Sequence, residues 1–428
     1  MSFRPVKKLQ VHRTLMSGVK VLVGTLAQNR QGVFFQYAQN YLDQHDNLSP
    51  FGLRFDNSVQ AAPHSPHAGL HGLFADSLPD GWGLLLQDRV FRQHDLLPNT
   101  VTAMDRLAFV GNSALGALSF SPTSDYVPLD QGEIDLATLG LNAQAVFDGQ
   151  TDDVLAQLIA AGGSGGARPK AQIYFQGNDY ASCRTKPLAG DDAWLVKFTS
   201  ASLPLGHEEG LCEAAYLTLA AKAKLSPPKW QLLDAPQASG ARQWLATQRF
   251  DYVRNSATTS GRQHFHSACG LLDADFRTPS LDYDDLIKAT RMLCRSPAYG
   301  QLQFKRAIFN LLTCNQDDHS KNWGFLLDDN GAWHPAPFYD IIFNPSAFNE
   351  HATAYAGYGK EPPLKALQKL ANSAGYARWS QAKHDIFAVT EVVDEFNAIA
   401  KELDIQQQTR RLISQRIERS RDALVKQL

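Results

Sequence analysis

A short polar run, Asn315-Gln316-Asp317-Asp318-His319-Ser320-Lys321-Asn322, stands between two strongly apolar segments. Ile308-Phe309-Asn310-Leu311-Leu312 leads into it and Trp323-Gly324-Phe325-Leu326-Leu327 leads out. That abrupt entry and exit confines the polar residues to the end of a packed helix and the start of a short hairpin. The hairpin is expected to turn at Asp329-Asn330-Gly331 and to return through Trp333 to Pro337. It then delivers Asp340 back towards Asp317. Asp340 is flanked by Phe338, Tyr339, Ile341 and Ile342, and a carboxylate so placed needs a partner. A solvated helix-end loop is the plain alternative.

The spacing carries chemistry. Phosphoryl transfer from ATP needs a carboxylate to orient and deprotonate the attacking hydroxyl, and oxygen ligands that hold Mg²⁺ against the phosphates. Asp317 suits the first task, and Asn322 with Asp340 suits the second. The protein-kinase catalytic loop separates its base Asp and metal Asn by the same interval, with a metal Asp further on. His319 is expected to steady the loop or to donate to phosphate, and Lys321 is a second candidate contact to the nucleotide. Asp318 has no assigned role.

Other segments fit around this motif. Asp152 to Ala161 reads as a helix that ends in Gly162-Gly163-Ser164-Gly165-Gly166-Ala167-Arg168-Pro169-Lys170. Glycines free the backbone to offer N–H groups to phosphate, and Arg168 and Lys170 add positive charge. The run satisfies no standard phosphate-loop pattern, so a flexible surface loop is the alternative. The Ser164 hydroxyl could itself receive phosphate. Lys197 lies inside the apolar strand Ala193 to Phe198, where an unpaired cation is costly. The next helix, Glu208 to Lys224, offers Glu208, Glu209 and Glu213, and Glu213 sits furthest among apolar neighbours. An edge-strand lysine with its head in water is the alternative. The strand Trp244 to Phe250 places Phe250 in the core and Asp251 in a turn. His64, His67 and His71 raise the thought of a metal, but Pro63 and Pro66 make their segment a surface loop. Asp76 to Gly83 reads as a turn opening an amphipathic helix, and residues 121–150 as an irregular boundary.

The architecture expected is α+β: a β-rich N-terminal lobe, then an all-α C-terminal lobe from about residue 256. Three parts follow, 1–150, 151–255 with the glycine loop, and 256–428. At 428 residues the chain exceeds one simple core. Hydrophobic residues make up 44% and charged ones 20%, which excludes a disordered chain. A formal net charge of -2 gives no global case for binding nucleic acid. The five cysteines are dispersed without a CxxC pair, which argues against a disulfide framework or thiolate metal site. No signal peptide or membrane span is visible, so a cytoplasmic location is the default expectation.

Taken together these motifs resemble the HipA-type serine/threonine kinase toxins of bacterial toxin–antitoxin systems. Asp76 to Gly83 and Gly111 to Phe120 are similar to that family's N-terminal subdomain. Gly162 to Lys170 is similar to its autophosphorylation loop, and Asn315 to Asn322 with Tyr339-Asp340 to its catalytic and metal motifs. The resemblance implies a two-lobed protein-kinase-like fold that uses ATP and Mg²⁺. It implies Asp317 as catalytic base, Asn322 and Asp340 as metal ligands, and Lys197, positioned by Glu213, on the nucleotide phosphates. It places Gln248 and Phe250 where the family contacts adenine, although Gln248 replaces an acidic residue found in relatives. It implies Ser164 as the autophosphorylated residue. The implied partners are a protein substrate of the aminoacyl-tRNA synthetase kind, a small helix-turn-helix antitoxin, and operator DNA reached through that antitoxin. A small-molecule phosphotransferase and a non-enzymatic regulator are the competing readings. The latter would be marked by loss of Asp317, Asn322 or Asp340, and all three are present.

Overall fold

The structure is a computed structural model that describes residues 3–128, 132, 134–154, 156–161, 165–254 and 261–428. The chain opens with an antiparallel five-stranded sheet. Its order is Gln60–Ala61, Gly32–Tyr37, Lys20–Asn29, Lys8–Thr14, Leu118–Ser121. Alternation sets the faces: Leu9 and Val11 point inward from the first strand, while Lys8 and Gln10 face water. The helices Gly81–Gln93 and Ala103–Val110 follow. The second starts in a capping box between Thr102 and Asp105.

A four-stranded antiparallel sheet comes next, in the order Lys170–Phe175, Asp192–Lys197, Gln243–Gln248, Trp230–Asp234. One face sends Ala171, Ile173, Phe175, Val196, Trp244 and Ala246 into an apolar core. The helix Leu136–Phe147 covers that face. This corrects the expectation that residues 121–150 are irregular. Leu136, Leu139, Ala143 and Val146 recur at helical spacing, and Gly140 lies directly against the Trp244 indole. Polar flanking segments mask that stripe in the sequence. Conversely, the helix expected over Asp152 to Ala161 is described only at Ala156–Ala160.

The other face carries Lys170 and Lys197, which are register partners on adjacent strands. It packs on the helix Glu209–Lys222. The C-terminal lobe then runs through helices Tyr283–Cys294, Pro297–Thr313, Leu364–Ser373, Trp379–Val393, Phe396–Glu402 and Gln407–Val425. Among them sits a small sheet of His264–Ser267, Gly324–Leu327 and Trp333–Pro335. Its last two strands are the expected hairpin, with Gly331 at φ +79° in the turn. The helix Pro297–Thr313 buries Phe304, Ile308, Phe309 and Leu312. Each such side chain contributes about 1.5–3 kcal/mol relative to exposure, so the loop that follows hangs from a firm anchor.

Candidate active site

Cys314, at φ +54°, ends that anchoring helix in a left-handed turn. Asn315 then pairs with Asn344 and donates its side-chain amide to Asn310 Oδ1 at 2.9 Å. The following two aspartates part company. Asp317 keeps 46% of its side chain exposed, and its Oδ2 accepts from Asn344 Nδ2 at 3.1 Å. Asp318 is buried, and its carboxylate accepts from Tyr283 Oη at 2.5 Å, His351 Nδ1 at 2.9 Å and the Thr353 N–H at 3.2 Å. Asp318 therefore fixes the loop, and Asp317 is the carboxylate left open to a ligand. Asn322, in the short turn Ser320–Asn322, donates Nδ2 to the Asp317 carbonyl at 2.7 Å, which leaves Oδ1 as its remaining polar atom. His319 Nε2 lies 3.9 Å from Asp317 Oδ1, and its ring packs edge-on to Phe276.

Asp340 returns from the hairpin at φ +55°. Lys197 Nζ donates to Asp340 Oδ1 at 2.6 Å and to both Glu213 oxygens at 2.7 and 2.8 Å. The structure thus brings together the lysine, the helix glutamate and the second aspartate. Burial opposes the charge on Lys197, but Asp340 and Glu213 hold its pKa above the ordinary lysine value. Burial likewise opposes ionisation of Asp340, yet Lys197, Lys170 and Arg168 hold its carboxyl far below the usual carboxylate range. Burial dominates at Glu213 and raises it. Lys170 is buried beside them, donates to the Gly165 carbonyl at 2.7 Å, and is lowered to about 8 by burial. Arg168 pairs with Glu209 at 2.5 Å.

Gln248 closes the strand Gln243–Gln248, and its N–H donates to the Lys229 carbonyl at 2.8 Å. Phe250 is half-buried against Phe265 and Tyr339, with ring centroids 6.1 and 5.4 Å away. Asp251 is no turn residue. It is fully buried and accepts from Arg249 Nε and Nη2 at 2.7 Å each and from the Gly116 N–H at 2.8 Å, with Arg262 at 3.4 Å. Two guanidiniums and an amide, that of Gly116 from 135 residues away, justify a buried carboxylate. None of those partners is adjacent in sequence except Arg249, so composition alone favoured a turn.

Lys321 does not point at open space: its Nζ meets Asp80 Oδ2 at 2.5 Å and lies 4.3 Å from the Phe276 ring centre. Asp80, which the sequence suggested only as part of a helix-opening turn, is thus a site residue; its proximity to the glycine loop appears only once the chain folds. Gly162, Gly163 and Ser164 lie outside the described residues. The histidine segment is less exposed than expected, since His67 and His71 are buried and His67 Nε2 contacts Asp273 at 3.0 Å. Burial lowers His71 to about 4. Among the described residues no cluster of three or more His, Cys, Asp or Glu could hold a metal ion. An Mg²⁺ shared with phosphates needs only one or two protein ligands, and the oxygens of Asp340 and Asn322 are of the hard type it prefers.

Comparison with known proteins decides the family. The HipA-like C-terminal domain matches residues 162–420, and the HipA N-terminal domain matches residues 16–121. This chain belongs to the HipA family. The Sinorhizobium fredii protein Y4mE, whose name carries the word kinase, is 26% identical over 336 residues, 75% of this chain and 74% of that one. The serine/threonine-protein kinase toxin HipA of Shewanella oneidensis is 44% identical over 50 residues, 11% of each chain. A solved complex of HipA, HipB and operator DNA from Shewanella oneidensis superposes with a TM-score of 0.66 at 16% identity, covering 98% of this chain and 96% of that one. The HipA-like fold, kinase-like and α+β, is therefore shared along nearly the whole length. No described helix is long and apolar enough to cross a membrane.

Proposed function

We propose that this HipA-family chain is an ATP- and Mg²⁺-dependent protein serine/threonine kinase. The observation that carries the reading is the Lys197–Glu213–Asp340 cluster, tied through Tyr339 to the loop in which Asp317 keeps its carboxylate open. Asp317 orients the acceptor hydroxyl and takes its proton. Asn344 and the Asn322 amide hold Asp317 in place from two sides. Asn322 and Asp340 would hold Mg²⁺, which when bound supplies charge neutralisation on the phosphates. Lys197 presents a cation fixed by Glu213, and Lys170 adds a second one on the neighbouring strand. Gln248 and Phe250 lie at the strand end where the adenine would rest, with the Phe250 and Tyr339 rings as its apolar wall.

Further reach follows from the family. The chain acts as a toxin on a protein of the translation apparatus, of the aminoacyl-tRNA synthetase kind, in the cytoplasm. It is restrained by a small helix-turn-helix antitoxin, and contacts operator DNA through that partner, as the HipA–HipB–DNA assembly of the Shewanella relative suggests. Phosphorylation at Ser164 adds about two negative charges to the glycine loop and switches the enzyme off. A phosphoproteomic comparison of cells expressing the wild type with cells expressing Asp317→Asn tests the reading. It should reveal serine or threonine sites, on a translation component and at Ser164, that depend on Asp317. Identical phosphoproteomes would overturn it.

A further inference from the structure

The N-terminal unit reaches into the site at the turn Asp80-Gly81-Trp82. Asp80 is 8% exposed, and its two oxygens are divided between two segments that are far apart in sequence. Oδ1 accepts from the Gly166 N–H in the glycine loop. Oδ2 accepts from Lys321 Nζ in the catalytic loop at 2.5 Å. Two further bonds tie the same turn to the loop: the Trp82 N–H donates to the Gly166 carbonyl at 2.9 Å, and the buried Trp82 indole donates to the Lys170 carbonyl at 2.8 Å. The approach is so close that Gly81, at φ +41°, has no room for a side chain against Gly166 and Ala167. On the far side, the Lys321 carbonyl accepts from Tyr339 Oη at 2.7 Å, one residue before Asp340.

We infer that Asp80 is a positioning residue of the phosphoryl-transfer site, holding the glycine loop and the catalytic loop in one fixed arrangement. The inference rests on the kinase reading above. Asp80 sits at the helix-capping position before Gly81–Gln93 yet makes no capping bond, so its carboxylate serves the loops instead of its own helix. Paired with Asp80, Lys321 acts as a tether between the two loops. Burial of Asp80 opposes its charge, but Lys321 and the Gly166 N–H keep it ionised, below the ordinary aspartate value. The consequence is that the N-terminal unit, outside the nucleotide-binding sheet, sets how well the glycine loop meets ATP.

Asp80→Asn keeps an oxygen for the Gly166 N–H and loses the ion pair; Asp80→Ala loses both. Loss of a charged hydrogen bond predicts a KM for ATP raised about tenfold or more in Asp80→Ala, a smaller rise in Asp80→Asn, and a lesser change in kcat. Hydrogen exchange should show faster exchange of the 165–168 amides in Asp80→Ala while the N-terminal sheet stays protected, which separates repositioning from unfolding. Asp80→Ala combined with Lys321→Met should be little worse than Asp80→Ala alone. An unchanged KM and unchanged loop exchange in the folded variants would overturn the inference, as would additive losses in the double variant. Faster loop exchange in a protein whose wild type transfers no phosphate would instead overturn the kinase reading, and with it the positioning role of Asp80 in phosphoryl transfer.

Discussion

Lys197 and Asp340 lie 143 residues apart and share an ion pair of 2.6 Å, with Glu213 bonded to the same ammonium. One cation therefore joins the sheet, the helix beneath it and the end of the hairpin. Lys197→Met strands two carboxylates and should cost about 3–5 kcal/mol of stability, along with phosphoryl transfer. Asp340→Asn leaves Lys197 paired with Glu213 and should lose activity at a smaller cost in stability. Urea denaturation beside a turnover assay checks the pair. Equal stability losses would mean that Lys197 does not bridge the two carboxylates.

Asp317 and Asp318 should separate in the same assays. Asp318→Ala leaves the Tyr283 hydroxyl and the Thr353 N–H without their buried acceptor and should destabilise by about 3 kcal/mol. Asp317→Asn should melt close to the wild type and lose turnover about a hundredfold or more. Thermal melts and rates on both variants decide the assignment. A stable, inactive Asp318→Ala with a fully active Asp317→Asn would reverse it.

The cation cluster sets two pH signatures. The folded state holds the Asp340 carboxyl below its unfolded value, so the stability from this group is complete above about pH 4 and is lost as the pH falls below it. Lys170 shifts in the same direction, in a higher pH window. Burial lowers it to about 8, whereas an unfolded lysine keeps its proton to about 10.4. Between these values the unfolded chain binds more protons, so this group's contribution to stability rises with pH. Denaturation of wild type and Lys170→Met across that window should show a steeper rise in the wild type. Parallel curves would place Lys170 in water.

Gly140 gives a prediction about the fold. Its position against the Trp244 indole leaves no space for a methyl, so Gly140→Ala should lose about 1–3 kcal/mol despite the better helix propensity of alanine. A stabilised variant in urea would show that the helix Leu136–Phe147 does not pack there.

Local signals made much of this legible. The hairpin after Asn322 was readable from its turn residues and apolar strands, and Lys197 from its apolar strand only when read together with the later Asp317 motif. The preference for Glu213 over Glu208 followed from its neighbours alone. What escaped was non-local. Asp80 and Asp251 read as turn residues because their partners, Lys321 and Gly166 for one, Gly116 and Arg262 for the other, are supplied by distant segments. Asp318 had no role because Tyr283 and His351 converge on it only in the folded chain. The helix Leu136–Phe147 was hidden by the polar, Pro- and Gly-containing segments that flank it on both sides.

The central claim is that Asp317 and Asp340 serve phosphoryl transfer to a serine or threonine hydroxyl. The most direct measurement incubates the purified chain with γ-labelled ATP and Mg²⁺ and maps the phosphorylated residues, with Asp317→Asn and Asp340→Asn alongside. The account predicts phosphate on serine or threonine in the wild type and an incorporation rate lower by about a hundredfold or more in each variant. No incorporation by the wild type, or equal incorporation by all three proteins, would contradict it.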